Sequence, residues 1–306
     1  MRTIRQLVKR NSLLYIRDKS AVFFSMLSML VVLGLMVVFL GNMNRDNVVS
    51  LLAEYGGNRD GEADLKNAEH LIEMWTVAGI LVVNAVMVTL TVIGVRIQDE
   101  EKKRLQSFYA APVKPMKVAL GYIFSALLLG TIMCILTLVA AEAYIVVKGG
   151  SLLNLEETLQ VIGLIVLNVF LYACTLFFVG MFVHSDSAWS GFGTVIGTLV
   201  GFVGGIYLPM GFLPEKVQTV LKALPVLHGS AMLRDIFTKK ALETTFFGMP
   251  EEVVEEYKAY MGITVKAGET VLSSEIQMAF LLGFAIIMII ASVIAWKVVD
   301  GSRRNP

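Results

Sequence analysis

The 306-residue chain is 56% hydrophobic and only 17% charged, with a mean hydropathy of +0.70 and a net charge of +1. That composition excludes an ordinary soluble globular domain, and the balanced charge offers no basic excess for a nucleic-acid partner. It implies an all-α polytopic membrane protein, because in lipid a helix satisfies its own backbone hydrogen bonds.

Residues 1–19 hold six basic residues, Arg2, Arg5, Lys9, Arg10, Arg17 and Lys19, against one acid, Asp18. Ile4, Leu7, Val8 and Leu14 recur among them at roughly helical spacing. This is the pattern of an interfacial helix on the inner leaflet, or of a basic tail with chance periodicity. A bilayer core takes about 20 apolar residues per helix. Six stretches supply them, at residues 20–40, 75–95, 118–147, 159–183, 188–209 and 276–297. The first is too long for a signal peptide and Gly41-Asn42-Met43 offers no cleavage site, so it is expected to stay in the mature chain. Residues 41–74 and about 236–275 form two acidic segments too large to be simple turns.

Between the second and third stretches, Gln98-Asp-Glu-Glu-Lys-Lys-Arg-Leu-Gln-Ser-Phe108 precedes Tyr-Ala-Ala-Pro112-Val-Lys-Pro115. Acids first, bases after and two prolines behind predict a short cytoplasmic helix over residues 98–113. Leu105 and Phe108, three apart, give it a small apolar ridge suited to docking. The other reading is a solvated loop whose bases only anchor topology.

Polar groups within the stretches are few. Asn84 and Asn168 either hydrogen-bond between helices or line a substrate path. Glu142 lies toward the outer end of the third stretch, and His184 and Asp186 at the inner turn between the fourth and fifth. None makes the midplane relay of an ion-coupled carrier. Cys134 and Cys174 fall inside stretches and are expected to be buried thiols, with no metal-ligand spacing. In the fifth stretch Gly193, Gly197, Gly201 and Gly205 share one helix face at i, i+4 spacing. Such a face lets backbones approach closely, within one subunit or against a second one, and allows sliding. Behind it come Gly205-Ile-Tyr-Leu-Pro209-Met-Gly-Phe-Leu-Pro214, then Leu224-Pro225-Val-Leu-His228 and Leu233-Arg234. His228 and Arg234 are candidates for an exit path or for packing. Pro250 to Gly262 has the apolar spacing and terminal glycine of a short amphipathic helix.

Orientation follows from basic residues. Residues 1–19, the loop 96–117 and the tail together carry fifteen of the 26, and the other side carries nineteen of the 25 acids. Both termini are therefore expected in the cytoplasm. No Gly-x-x-x-x-Gly-Lys-Ser/Thr phosphate loop occurs, so the chain is not expected to hydrolyse ATP.

An acidic residue, a leucine and a Pro-Val pair, here Glu101, Leu105 and Pro112-Val113, stand in the order found in the ABC type 2 permease family, which the chain resembles. Where that family has Gly-Thr before the leucine, this chain has Lys103-Arg104. The resemblance implies a single permease domain over residues 1–306, with an elbow helix at 1–19 and a coupling helix at 98–113. It further implies a re-entrant and extracellular segment at 210–275. Glu101, Arg104, Leu105 and Phe108 would meet separate ATP-binding cassette subunits, which carry ATP and Mg. Gly193, Gly197, Gly201 and Gly205 would pack against a second permease, and Asn84, Asn168 and His228 are candidates for the substrate path. The implied activity is export of a drug, peptide or lipid-like substrate across a bacterial plasma membrane, with no cofactor in this chain. An ion-coupled secondary carrier, or a membrane sensor or assembly protein that moves nothing, is the alternative.

Overall fold

The computed structural model describes residues 2–20, 22, 23, 27, 34, 41–55, 59–110, 113–204, 207–268 and 270–304, with side chains except those of 41–43, 109, 110 and 296–304. Eleven α-helices account for nearly all of them. They are α1 (Arg2–Arg17), α2 (Gly41–Tyr55), α3 (Gly61–Glu101), α4 (Arg104–Ala110), α5 (Pro115–Val147), α6 (Leu155–Gly180) and α7 (Asp186–Val203). A 3₁₀ turn at Met210–Phe212 leads to α8 (Glu215–Lys222), α9 (Pro225–Thr245) and α10 (Glu251–Met261). A hairpin pairing Lys266 with Val271 and Ala267 with Thr270 precedes α11 (Ser274–Arg304).

Four helices are long and apolar enough to cross a membrane: α3, α5, α6 and the Ser274–Ala295 part of α11. The protein is thus a multi-pass membrane protein. The expected first span, 20–40, lies outside the described residues apart from Ser20, Val22, Phe23, Leu27 and Gly34, which are helical. The expected fifth span corresponds to α7, whose 18 residues are about 27 Å long at 1.5 Å per residue.

The 41 residues of α3 span about 60 Å, twice a bilayer core. Its apolar stretch is one part of a longer rod. Asp60 caps the start by accepting from the Glu62 and Ala63 amides, and Glu62 and Asp64 suit the helix dipole there. Within its apolar window 83% of residues are buried, against 17% for α11. That difference makes α3 the axis of the bundle and puts α11 at its edge. Helices α5, α6, α7 and α9 all pack on α3.

The outer surfaces of α5 and α11 carry Phe124, Leu128, Ile132 and Leu136, and Phe280, Ile286, Ile290 and Ile294, all exposed. Facing water these stripes would be a liability; facing acyl chains they are the solvated side. Close approach of α9 to α6 depends on Gly229, where a Cβ would collide with the Asn168 amide oxygen. The expected helix at 250–262 is α10, closed by Gly262 in the left-handed region (φ 65°, ψ 32°). Cys134 and Cys174 are both free and buried.

Candidate functional site

The loop between α3 and α5 is not one helix over 98–113. Residues 98–101 are the last turn of α3, Lys102 and Lys103 form a break, and α4 starts at Arg104. Lys103 takes φ 57°, the one positive value at a non-glycine among the described residues. Before the break, Asp99 and Glu100, in the last turn of α3, face into the bundle.

Asp99 is 1% exposed. A carboxylate there needs partners, because desolvating an unpaired charge costs several kcal/mol. Arg10 of α1 supplies a two-pronged bond, Nη1 to Oδ2 at 2.7 Å and Nη2 to Oδ1 at 2.8 Å. The Tyr122 hydroxyl, near the start of α5, donates to Oδ2 at 2.7 Å. Arg104 of α4 lies 3.6 Å from Oδ1. The bond to Asp99 holds the Arg10 guanidinium above its ordinary pKa range. Arg10 also covers the Phe108 ring, 5.3 Å from its centroid. One carboxylate therefore gathers α1, α3, α4 and α5.

A second set of contacts reaches the turn before α7. Arg96 donates to the Gly180 carbonyl at 2.5 Å, at the end of α6, and lies 3.4 Å from Glu100. His184 Nδ1 is 3.8 Å from Glu100, and the Asp186 amide donates to Glu101 Oε1 at 3.4 Å. Glu101, Lys102, Lys103, Arg104, Gln106 and Ser107 are exposed, whereas Leu105 is buried and Phe108 half-buried. This revises the expected outward apolar ridge: Leu105 and Phe108 glue α4 to the bundle, and the surface α4 offers is polar. Arg10, Arg96, Asp99, Glu100 and Tyr122 carry this site without having been singled out. For Arg96, Asp99 and Glu100 the signal was a charged run directly abutting an apolar helix; Arg10 and Tyr122, far away in sequence, carried none.

The sequence profile of ABC-2 type transporters matches residues 2–238. The chain belongs to the ABC-2 type transporter family. It is a membrane permease of that family, a component that lacks an ATPase site. No curated protein matches it. ABC-2 permeases generally pair with separate ATP-binding cassette ATPases, which bind the ATP.

The glycine face of this permease packs inside the chain. A Cβ on Gly193 would lie 3.0 Å from Leu90 and one on Gly197 3.1 Å from the Met87 methyl, both on α3. The Tyr207 ring covers Gly201, and Gly205 lies outside the described residues. The Trp189 indole donates to the Leu90 carbonyl at 3.1 Å, beside Gly94. Helix α7 thus lies along α3 on a track of small residues.

Asn84, Asn168 and His228 each hydrogen-bond a neighbouring group. Asn84 donates to Thr137 at 2.6 Å, joining α3 to α5. Asn168 donates to the Leu164 carbonyl at 2.9 Å and accepts from Tyr172 at 3.2 Å. His228 bonds the Lys222 carbonyl through Nε2 at 2.8 Å and stacks on Phe280 at 4.6 Å.

Proposed function

We propose that this permease is the membrane half of an ATP-driven exporter, and that separate ATPase subunits push on residues 98–113. The observation that carries this reading is the Asp99 assembly. Any displacement of α4 is passed through buried charge to α1, α3 and α5, and through Glu100 and Glu101 to the start of α7. A rigid lever suits a motor whose closure is driven by ATP. Docking uses the exposed polar face, with Glu101 and Arg104 as principal contacts, while Leu105 and Phe108 anchor the lever from behind.

In this reading residues 20–40 and α7 complete a set of six spans, residues 1–19 lie on the inner leaflet and both termini are cytoplasmic. The chain sits in a bacterial plasma membrane and pairs with a second copy or a similar permease. Residues 210–275 form the re-entrant and outer part, over which a drug, peptide or lipid-like substrate leaves by alternating access. The glycine track supports sliding of α7 on α3 during that switch.

The test is double charge reversal, Glu101→Arg with Arg104→Glu, in the permease co-expressed with a candidate ATPase. Both side chains are exposed, but Arg104 lies 3.6 Å from buried Asp99, so thermal unfolding of the variant is measured alongside to separate lost docking from lost folding. ATPase association and ATP-dependent export should both fall. Export that persists unchanged, or that runs on an ion gradient with no ATPase present, would defeat the reading.

A further inference from the structure

At the end of the bundle away from Asp99, Arg234 of α9 is fully buried. Its Nη2 donates to the Gly204 carbonyl at 2.8 Å and its Nη1 to the Gly262 carbonyl at 3.3 Å. Its guanidinium stacks on Trp75 of α3, 4.4 Å from the ring centroid. Gly204 is the C-cap of α7 and Gly262 the C-cap of α10. A helix C-terminus leaves its last carbonyls unsatisfied and carries about half a negative charge. Two such ends converge on one planar cation.

The surroundings fit that cation closely. A Cβ on Gly262 would lie 3.3 Å from Arg234 Nη1 and 3.3 Å from Met210 Cβ. The Trp75 indole donates to the Met261 carbonyl at 2.8 Å, fixing the ring against the same helix end. Val203, at the end of α7, packs on an apolar cluster of Met210, Leu221, Leu227, Ala231 and Val265. The grip at Gly204 is thus specific to a fork-shaped donor. A lysine ammonium is a compact point charge and cannot bond both carbonyls while stacking flat on an indole.

We propose that Arg234 is a positioning residue that latches the far end of α7 to α3 and α10, and that α7 must slip this latch for substrate to leave. Arg234 acts through α7 and touches no substrate. The second clause rests on the exporter reading above; the first does not.

Hydrogen exchange of the full-length permease in nanodiscs tests the latch with no ATPase present. In Arg234→Lys, amides near 200–204 and 259–263 should exchange about tenfold faster, the loss of one charge-assisted hydrogen bond. Residues 96–108 and 165–177 should be unchanged. Buried Cys134 and Cys174 report on global folding, because both stay inert to maleimide while the bundle is intact. In Trp75→Phe, which keeps a ring and removes the indole donor, only 259–263 should loosen. Exchange at 200–204 within about twofold of the parent, in an Arg234→Lys protein whose cysteines stay inert, would overturn the latch. Arg234→Met serves as the stronger variant where its cysteines also stay inert.

The functional arm uses the assembled transporter. Arg234→Lys should keep its ATP hydrolysis rate while export per ATP falls severalfold. An equal fall in both, or no fall in either, would overturn the slipping step. If the parent recruits no ATPase, the exporter reading fails and the exchange result still decides the latch.

Discussion

The two ends of the bundle hold their arginines by different chemistry. Near Asp99, Arg10, Arg96 and Arg104 are each within ion-pair distance of a carboxylate, and two of them keep a route to water, with side chains 30% and 51% exposed for Arg10 and Arg104. At the opposite end Arg234 is held by backbone carbonyls and a ring, with no exposure. The first arrangement joins helices through side chains, two of which reach water. The second fixes the ends of two helices through one buried guanidinium. A push at one end and a release at the other, as in the proposed exporter, would draw on this asymmetry.

The largest expected effect breaks the junction at its more buried partner's expense. Arg10→Ala strands the Asp99 carboxylate, 1% exposed, with Tyr122 and a distant Arg104 for company. Removing one partner of a buried pair costs about 3–5 kcal/mol, and Arg104 at 3.6 Å moves this toward the lower end. Asp99→Ala should cost less, because the freed Arg10 can turn to water. The double variant should then be milder than the sum, a coupling that a double-mutant cycle on thermal unfolding in nanodiscs measures directly. Equal single effects with simple additivity would mean that the pair is not the hub.

Next in size are the glycines of the α7 track, which separate the fixed end from the sliding part. At Gly201 a Cβ meets the Tyr207 ring, which is itself held edge-on against Phe202 at 5.0 Å. Gly201→Ala should therefore destabilise by about 1–3 kcal/mol, the cost of overpacking a rigid neighbour. At Gly197 the obstacle is the end of Met87, a flexible chain that can swing aside. Gly197→Ala should cost well under about 1 kcal/mol, offset in part by better helix propensity. Melting temperatures of the two variants in the same lipid decide it, and the reverse order would place the tight contact on α3.

Much of this architecture could be read from hydropathy. The apolar cores of α3, α5, α6 and α11 stand out because lipid demands unbroken runs. The full length of α3 was not legible, since residues 61–74 and 96–101 are polar and their helicity is imposed by Asp60 and by packing against α2 and α9. The charged segment at 98–113 was legible from charge and proline, but the direction of Leu105 and Phe108 was not. Their spacing is the same whichever way the helix faces, and the inward choice is made by Arg10, 89 positions from its partner Asp99. Arg234 could be noticed but not interpreted, because its acceptors are backbone carbonyls, which leave no mark in a sequence.

The smallest expected effect concerns the break that separates α3 from α4. Lys103 holds φ 57° although its side chain is exposed and forms no ion pair among the described residues. A non-glycine residue in the left-handed region costs about 1 kcal/mol, which glycine avoids. Glycine in turn gives the unfolded chain more freedom, so Lys103→Gly should stabilise by no more than about 0.5–1 kcal/mol. Lys103→Val, stiff at Cβ, should destabilise by about 1–2 kcal/mol. The consequence for the junction is opposite to that for stability. A glycine loosens the turn that holds α4 and Arg104 against Asp99, so the melting temperature should rise slightly while ATP-dependent export falls. If both rise together, the break is only a connector, and the lever begins at α4 rather than at the end of α3.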